Sequence, residues 1–289
     1  MSTGLIKPDR LYHYCGVTGF QGILASKTLW LSDAYYMNDY TEHIWILRKA
    51  IERLSRVAND DPRKPFSDKL TDYILAMPVH PYICCFSMAP DLLSQWRAYS
   101  DDGAGFAVGF SASSIHKHCE SFIPDQLGVR LMSVEYEDSV QDQNIDDLVA
   151  KYFNKYVSES RGVHRPTEES DALFFRAAGE IWGLAARCKN HGFMEEKEAR
   201  IVLLPKHRII PTLNKAVADV GTSKMFFRVS GQRLTPYFTF PFTAQDVIEV
   251  RLGPKNDARQ MRYSVEMFLI QNGYDVGAIE IINSEATYR

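Results

Sequence analysis

A chain of 289 residues with 45% apolar and 24% charged side chains carries ample material for a packed core, which excludes a disordered or low-complexity protein. Its formal charge of -3 removes the overall electrostatic footprint of a nucleic-acid binder, while leaving room for a local basic groove. The five cysteines, at 15, 84, 85, 119 and 188, are odd in number and form no C-x-x-C spacing, which argues against a disulfide framework or a cysteine zinc site and for free thiols in a reducing compartment. No signal-peptide apolar region opens the chain, and no eighteen-residue apolar run occurs. A cytoplasmic protein without membrane contact is expected.

In chain order, LYHY at 11–14 reads as a strand, and Thr18 as the N-cap of a short helix with Phe20, Ile23 and Leu24 on one face. LWLS at 29–32 is a second strand. A longer helix from Asp39 carries Ile44, Leu47, Ile51 and Leu54 at helical spacing. NDDPRKPF at 59–66 reads as a flexible loop. YICCFSM (82–88) is β-type, DLLSQWRAY (91–99) helical, SDDGAG a turn, and FAVGF (106–110) and VRLMSVEY (129–136) strands. Residues 144–157 and 169–188 read as helices, the second with Leu173, Ala177, Ile181, Leu184 and Cys188 in one stripe. The strand in the second half of 189–204 is followed by strands at MFFRVS (225–230) and VIEVRL (247–252). The chain closes as strand–helix–strand, with Met261, Val265, Phe268 and Leu269 on the helix's apolar face and Gly273 at its stop. There is no internal repeat. One α+β domain over residues 1–289 is expected, with a central mixed or antiparallel sheet and flanking helices.

The most specific chemical pattern is Glu196-x-Glu198-x-Arg200 at the head of an apolar strand. Alternate strand residues share a face, so these three project together, with Ala199, Ile201 and Leu203 opposite. Two carboxylates about 7 Å apart repel unless a cation such as Arg200 compensates. The pattern fits a solvated sheet edge wearing alternating charges. It also fits a site that stabilises a sugar cation when a glycosidic bond breaks, as at the nicotinamide–ribose bond of NAD. His13 is a candidate contact to a ribose hydroxyl or phosphate, with Tyr12 or Tyr14 stacking on a base, or else a core histidine bonded to backbone. Trp30 and Tyr36 have the same two readings, aromatic platform or core residue. Ser87 is a ligand contact or a turn cap. Asn38-Asp39-x-x-Glu42 reads as a capping box. Gly103, Gly105 and Gly109 do not form a dinucleotide fingerprint, and no nucleophile elbow, Walker A or H-E-x-x-H sequence is present. No ligand spacing supports a metal site.

Taken in order, these pieces resemble a widespread bacterial domain family of unknown function, family 2971. The resemblance rests on Leu11-Tyr12-His13-Tyr14, Gly19 to Leu24, Leu29 to Ser32, Asn38 to Glu42, Cys85-Phe86-Ser87, Trp96 to Tyr99, Glu196 to Arg200 and Ser284 to Arg289. More distantly the layout is similar to the ADP-ribosyltransferase superfamily. That likeness implies an ADP-ribosyltransferase-like fold and NAD as substrate, with Glu198 and Glu196 as the catalytic pair. It implies NAD contacts for His13, Tyr12, Tyr14, Trp30, Tyr36, Ser87 and Arg200, and an acceptor that is protein, nucleic acid or water. It also implies a role as toxin or phage-defence effector. A non-catalytic nucleotide- or protein-binding sensor and a metal-dependent hydrolase or nuclease are the alternatives.

Overall fold

A computed structural model of the chain describes residues 9–37, 41–76, 81–121, 129–160, 167–204 and 225–288. Its centre is one mixed sheet of ten strands. In chain order the strands are β1 (Arg10–Cys15), β2 (Thr28–Asp33), β3 (Tyr82–Ser87), β4 (Phe106–Ser111), β5 (Val129–Ser133), β6 (Glu198–Leu203), β7 (Phe226–Ser230), β8 (Arg233–Pro241), β9 (Val247–Leu252) and β10 (Glu280–Asn283). The helices are α1 (Val17–Ser26), α2 (Thr41–Ser55), α3 (Lys64–Ala76), α4 (Leu93–Tyr99), α5 (Ala112–Ser121), α6 (Asp138–Ser160), α7 (Thr167–Ala185) and α8 (Ala258–Gln271). The α+β class and the sheet with flanking helices are as expected. Among the described strands the pairings are antiparallel except β9 with β10, whose crossover α8 makes a parallel pair possible.

The sheet forks at β3. One edge of β3 pairs with β6 along its whole length, Tyr82 to Leu203 through Ser87 to Glu198. The other edge is shared: Ser87 pairs with Tyr12 of β1, whereas Ile83 and Tyr82 pair with Ser32 and Asp33 of β2. From this fork one wing runs β1–β4–β9–β10 and the other β2–β8–β7, while β6 and β5 extend the sheet from the opposite edge of β3.

Strand alternation gives the sheet two unlike faces. Leu11, Cys84, Phe86, Val108, Phe110, Ile201, Phe238 and Val250 form an apolar face, and Phe20 and Leu24 of α1, Ile115 of α5, and Val265 and Leu269 of α8 close over it. The other face is polar. Helices α2, α3, α6 and α7 build a separate core, including Leu47, Phe66, Leu148 and Phe174. Ala186, just past α7, packs on Ile83 and Val202 of the polar face. Trp96 of α4 packs there on Tyr12, Tyr14 and Ala107.

Several expected boundaries move, for identifiable reasons. Of the segment expected as a loop at 59–66, residues 59–63 do form turns, but 64–66 start α3, because Phe66, Leu70 and Ile74 form a buried helical stripe behind its polar opening. Helix α5 and strand β8 went unexpected: α5 is short and polar-rich, and β8 contains Pro236, which argues against a strand. Thr18 does not cap α1. Its N-cap is Gly16, and the Val17 N–H donates instead to Asp101 Oδ2 at 3.0 Å, a cap supplied from the α4–β4 turn. That turn is strained, with Asp101, Asp102 and Gly103 all at positive φ. It is held by Gly105, whose N–H reaches Ser100 O at 2.8 Å and whose carbonyl accepts from Gly253 N at 3.0 Å. The proposed cap Asn38–Glu42 lies outside the described residues and side chains.

A Cβ on Gly105 would stand 2.3 Å from Cys15 O and 3.0 Å from the Gly16 Cα, so backbone would have to move. Gly105→Ala is expected to cost about 2–3 kcal/mol, read as a lower urea midpoint. Gly22→Ala meets nothing within 4 Å and should stabilise by roughly 0.5–1 kcal/mol, read as a higher urea midpoint.

Candidate functional site

Strand β6 is not a sheet edge. It lies between β3 and β5 and is buried along its whole length, which overturns the solvated-edge reading of the alternating charges. Glu198 and Arg200 project from the polar face, in register with Ser87 and Cys85 of β3. They are 5% and 2% exposed. Arg200 grips Glu198 with two parallel bonds, Nε to Oε1 at 2.7 Å and Nη2 to Oε2 at 2.8 Å, and its Nη1 donates to Ala186 O at 3.1 Å. This fork-to-fork geometry is what arginine offers and lysine does not.

Lys189, 4% exposed, joins them, its Nζ 3.3 Å from Glu198 Oε2 and 2.6 Å from Glu196 Oε2. Glu196 is not on the strand. It ends a 3-10 turn, His191–Glu196, which Asn190 caps and which closes through Lys197 in the left-handed conformation. That turn swings the Glu196 carboxylate back to Lys189 and leaves its side chain 16% exposed. Two carboxylates and two cations thus sum to zero charge in a nearly dry site. Burial by itself would raise the Glu198 pKa, but the adjacent Arg200 and then Lys189 outweigh it and hold the carboxyl at about 2.

The surroundings complete the cluster. The Glu198 N–H donates to the Tyr136 hydroxyl at 2.9 Å. Ser87 Oγ donates to Glu196 O at 2.7 Å and accepts from Ala89 N–H at 3.0 Å, so its hydroxyl holds two loops together. Burial first, and then the Glu198 charge, push the Cys85 thiol well above its ordinary range. Tyr99, 42% exposed, stands at the rim, its phenol raised to about 12 by burial and by Glu196.

Of the sequence-predicted site residues, Glu196, Glu198, Arg200 and Ser87 come together. His13 does not join them. Its ring projects from the apolar face, edge-on to Phe86 at 5.8 Å. Its Nδ1 is 2.9 Å from Cys85 O, the stretch of β3 between the β1 and β2 pairings. The imidazole therefore plugs the fork, with Nδ1–H as the donor to that carbonyl. Burial lowers its pKa, keeping it neutral. The expectation that His13 and Glu198 line one cleft is corrected, because strand alternation sends them to opposite faces.

Tyr12 and Tyr14 share the polar face with Glu198, but their hydroxyls are committed. Tyr12 donates to Glu249 Oε2 at 2.9 Å, and Tyr14 donates to Ala89 O at 2.9 Å. Tyr12 sits in a second ionic cluster with Arg10, Glu249, Arg251 and Glu280. Trp30, on β2, is 44% exposed on the other wing, and Tyr36, in the turn after β2, is 39% exposed. Sequence reasoning missed Lys189 and Tyr136, which no local pattern marks because they reach β6 only through the chain's tertiary path. Among the described residues no group of three or more His, Cys, Asp or Glu is arranged to hold a metal ion. Nor is any of their helices long and apolar enough to cross a membrane.

Residues 95–201 match a family described as a protein of unknown function, DUF2971, so the family resemblance is borne out from α4 through most of β6. The matched segment contains Trp96, Tyr99, Gly103, Gly105 and the whole Glu196–Arg200 pattern. No curated protein and no solved structure matches the chain.

Because Glu198 sits at about 2 when folded and near 4.5 otherwise, its contribution to stability is fully present above pH 4.5 and is lost as pH falls toward 2. The loss is on the order of 3 kcal/mol. Glu198→Gln should flatten this acid limb and cost about 3–5 kcal/mol at neutral pH, because Arg200 and Lys189 stay buried with one fewer partner. Urea unfolding of both proteins between pH 3 and pH 7 measures it.

Proposed function

We propose that the protein consumes NAD by ADP-ribosyltransferase-type chemistry, acting as a transferase or a glycohydrolase at the Glu196–Glu198 end of β6. The observation that carries this reading is the pair of carboxylates gathered around Lys189 on the polar face, with the more accessible one beside the exposed Tyr99. Cleavage of the nicotinamide–ribose bond leaves the electron pair on the nicotinamide nitrogen and cationic character on the sugar. An ionised carboxylate fixed beside that carbon stabilises the developing charge. A nucleophilic O–H or N–H of the acceptor, or water, then bonds to the carbon and releases its proton.

The two acids divide the work in this proposal. Glu198 already accepts from Arg200 and Lys189, so it acts by fixing those cations. Glu196, whose side chain is 16% exposed at the rim, meets the ribose. This shifts the ligand-facing role from Glu198, where the superfamily likeness assigns it, to Glu196. The saturation of Glu198 is also the specific observation that favours a second reading, a nucleotide-binding sensor that cleaves nothing.

Incubating the full chain with NAD, with and without protein and nucleic-acid acceptors, and quantifying free nicotinamide tests the proposal. Wild type is expected to release nicotinamide, and Glu196→Gln to release it about 10²-fold more slowly, with a chelator making no difference. Calorimetric NAD binding with no nicotinamide released under any of these conditions would replace the enzyme with the sensor.

A further inference from the structure

The wing formed by β2, β8 and β7 carries two buried polar atoms without hydrogen-bond partners among the described residues, Arg228 Nε and Thr235 Oγ1. Register places Ser32, Tyr237 and Phe226 in one row across the three strands, and Thr235 beside Arg228 in the next. Trp30, two residues before Ser32, projects from the same face. Trp30 and Tyr237 lie 4.6 Å apart between ring centroids, and Phe226 stacks on Tyr237 at 5.7 Å. The Arg228 guanidinium lies 5.5 Å from the Trp30 ring centroid and gives one bond, Nη2 to Ser32 Oγ at 3.1 Å.

What is missing is an anion. Among the described residues no carboxylate pairs with Arg228, and its Nε is buried without a hydrogen-bond partner, as is Thr235 Oγ1 next to it. Burial without a counter-charge also lowers the Arg228 pKa. A half-buried guanidinium with free donors is matched by a phosphate, which accepts from arginine's planar fork. The adjoining Trp30, 44% exposed, offers a π-face on which a base can stack.

We propose that this wing binds a nucleotide, its base stacked on Trp30 and its phosphate held by Arg228. Strand alternation brings Arg233 to the same face, two residues from Thr235, as a second cation for a diphosphate. Two arginines suit one free nucleotide rather than a nucleic-acid strand, which needs a track of cations along its backbone. The inference does not rest on NAD cleavage, since it requires no bond to break.

Isothermal titration of the full chain with ADP, adenosine and inorganic phosphate tests it. ADP should bind with a Kd at least tenfold below that of either fragment. Arg228→Gln should weaken ADP at least tenfold and leave adenosine unchanged, while Trp30→Ala should weaken adenosine and leave phosphate unchanged. Arg228→Lys, which keeps the charge without the fork, should fall between wild type and Arg228→Gln, and urea midpoints confirm that each variant is folded. ADP binding no tighter than phosphate, or bound equally by wild type and Arg228→Gln, overturns the proposal. So does an oligonucleotide that binds more tightly than ADP. Nicotinamide release plays no part in any arm, so the outcome is independent of the NAD reading.

Discussion

The fold is organised around one buried ion pair, Glu198 with Arg200. An isolated charge at that depth is costly, and each member is tolerated because the other, with Lys189 and Glu196, brings the sum to zero. The need for that closure dictates much of the neighbourhood. The end of α7 must present the Ala186 carbonyl, the 3-10 turn must carry Glu196 back, and the Tyr136 hydroxyl must meet the first N–H of β6. Such an arrangement favours one geometry over others more than it adds net stability, because two long cations and two carboxylates are satisfied together in only a few ways.

The same pair explains why the sheet has unlike faces. With Ala199, Ile201 and Leu203 pointing into the apolar core, every charged residue of β6 must emerge on the other side. The polar face then has to be covered by elements bearing their own polar groups. Helix α4 and the C-terminal segment do this on one wing. Asp91 accepts from Trp96 Nε1, Ser284 Oγ and the Glu285 N–H, each at 2.6 Å. In the middle, Ala186 just past α7 packs on Ile83 and Val202 and offers its carbonyl to Arg200. The outer wing of β2, β8 and β7 is left with its aromatic residues exposed.

Local pattern made most strands and the long helices readable, because LYHY, YICCFS and VIEVRL are short β-type runs that recur as β1, β3 and β9. It also predicted the shared face of Glu198 and Arg200. What it lacked was depth and side. The spacing of E-x-E-x-R is the same on an edge strand and on one buried between two neighbours, and only the pairing with β3 and β5 distinguishes them. His13 shows the limit most clearly. Motif order drew it toward Glu198, but its side of the sheet is fixed by parity along β1 and by the Tyr12–Ser87 pairing. Helix α3 and strand β8 were hidden by prolines placed where each element can accept them.

The position of β1 has a kinetic meaning. This early strand lies inside the sheet, paired with β4 about a hundred residues later, and β4 pairs in turn with β9. Loop closures over such separations must occur before their contacts repay the lost chain entropy. Until β4 and β3 arrive, β1 is a strand with two open edges, open to misplaced pairing. The order in which those edges are covered, rather than the strength of any one contact, sets how efficiently this chain reaches its native sheet.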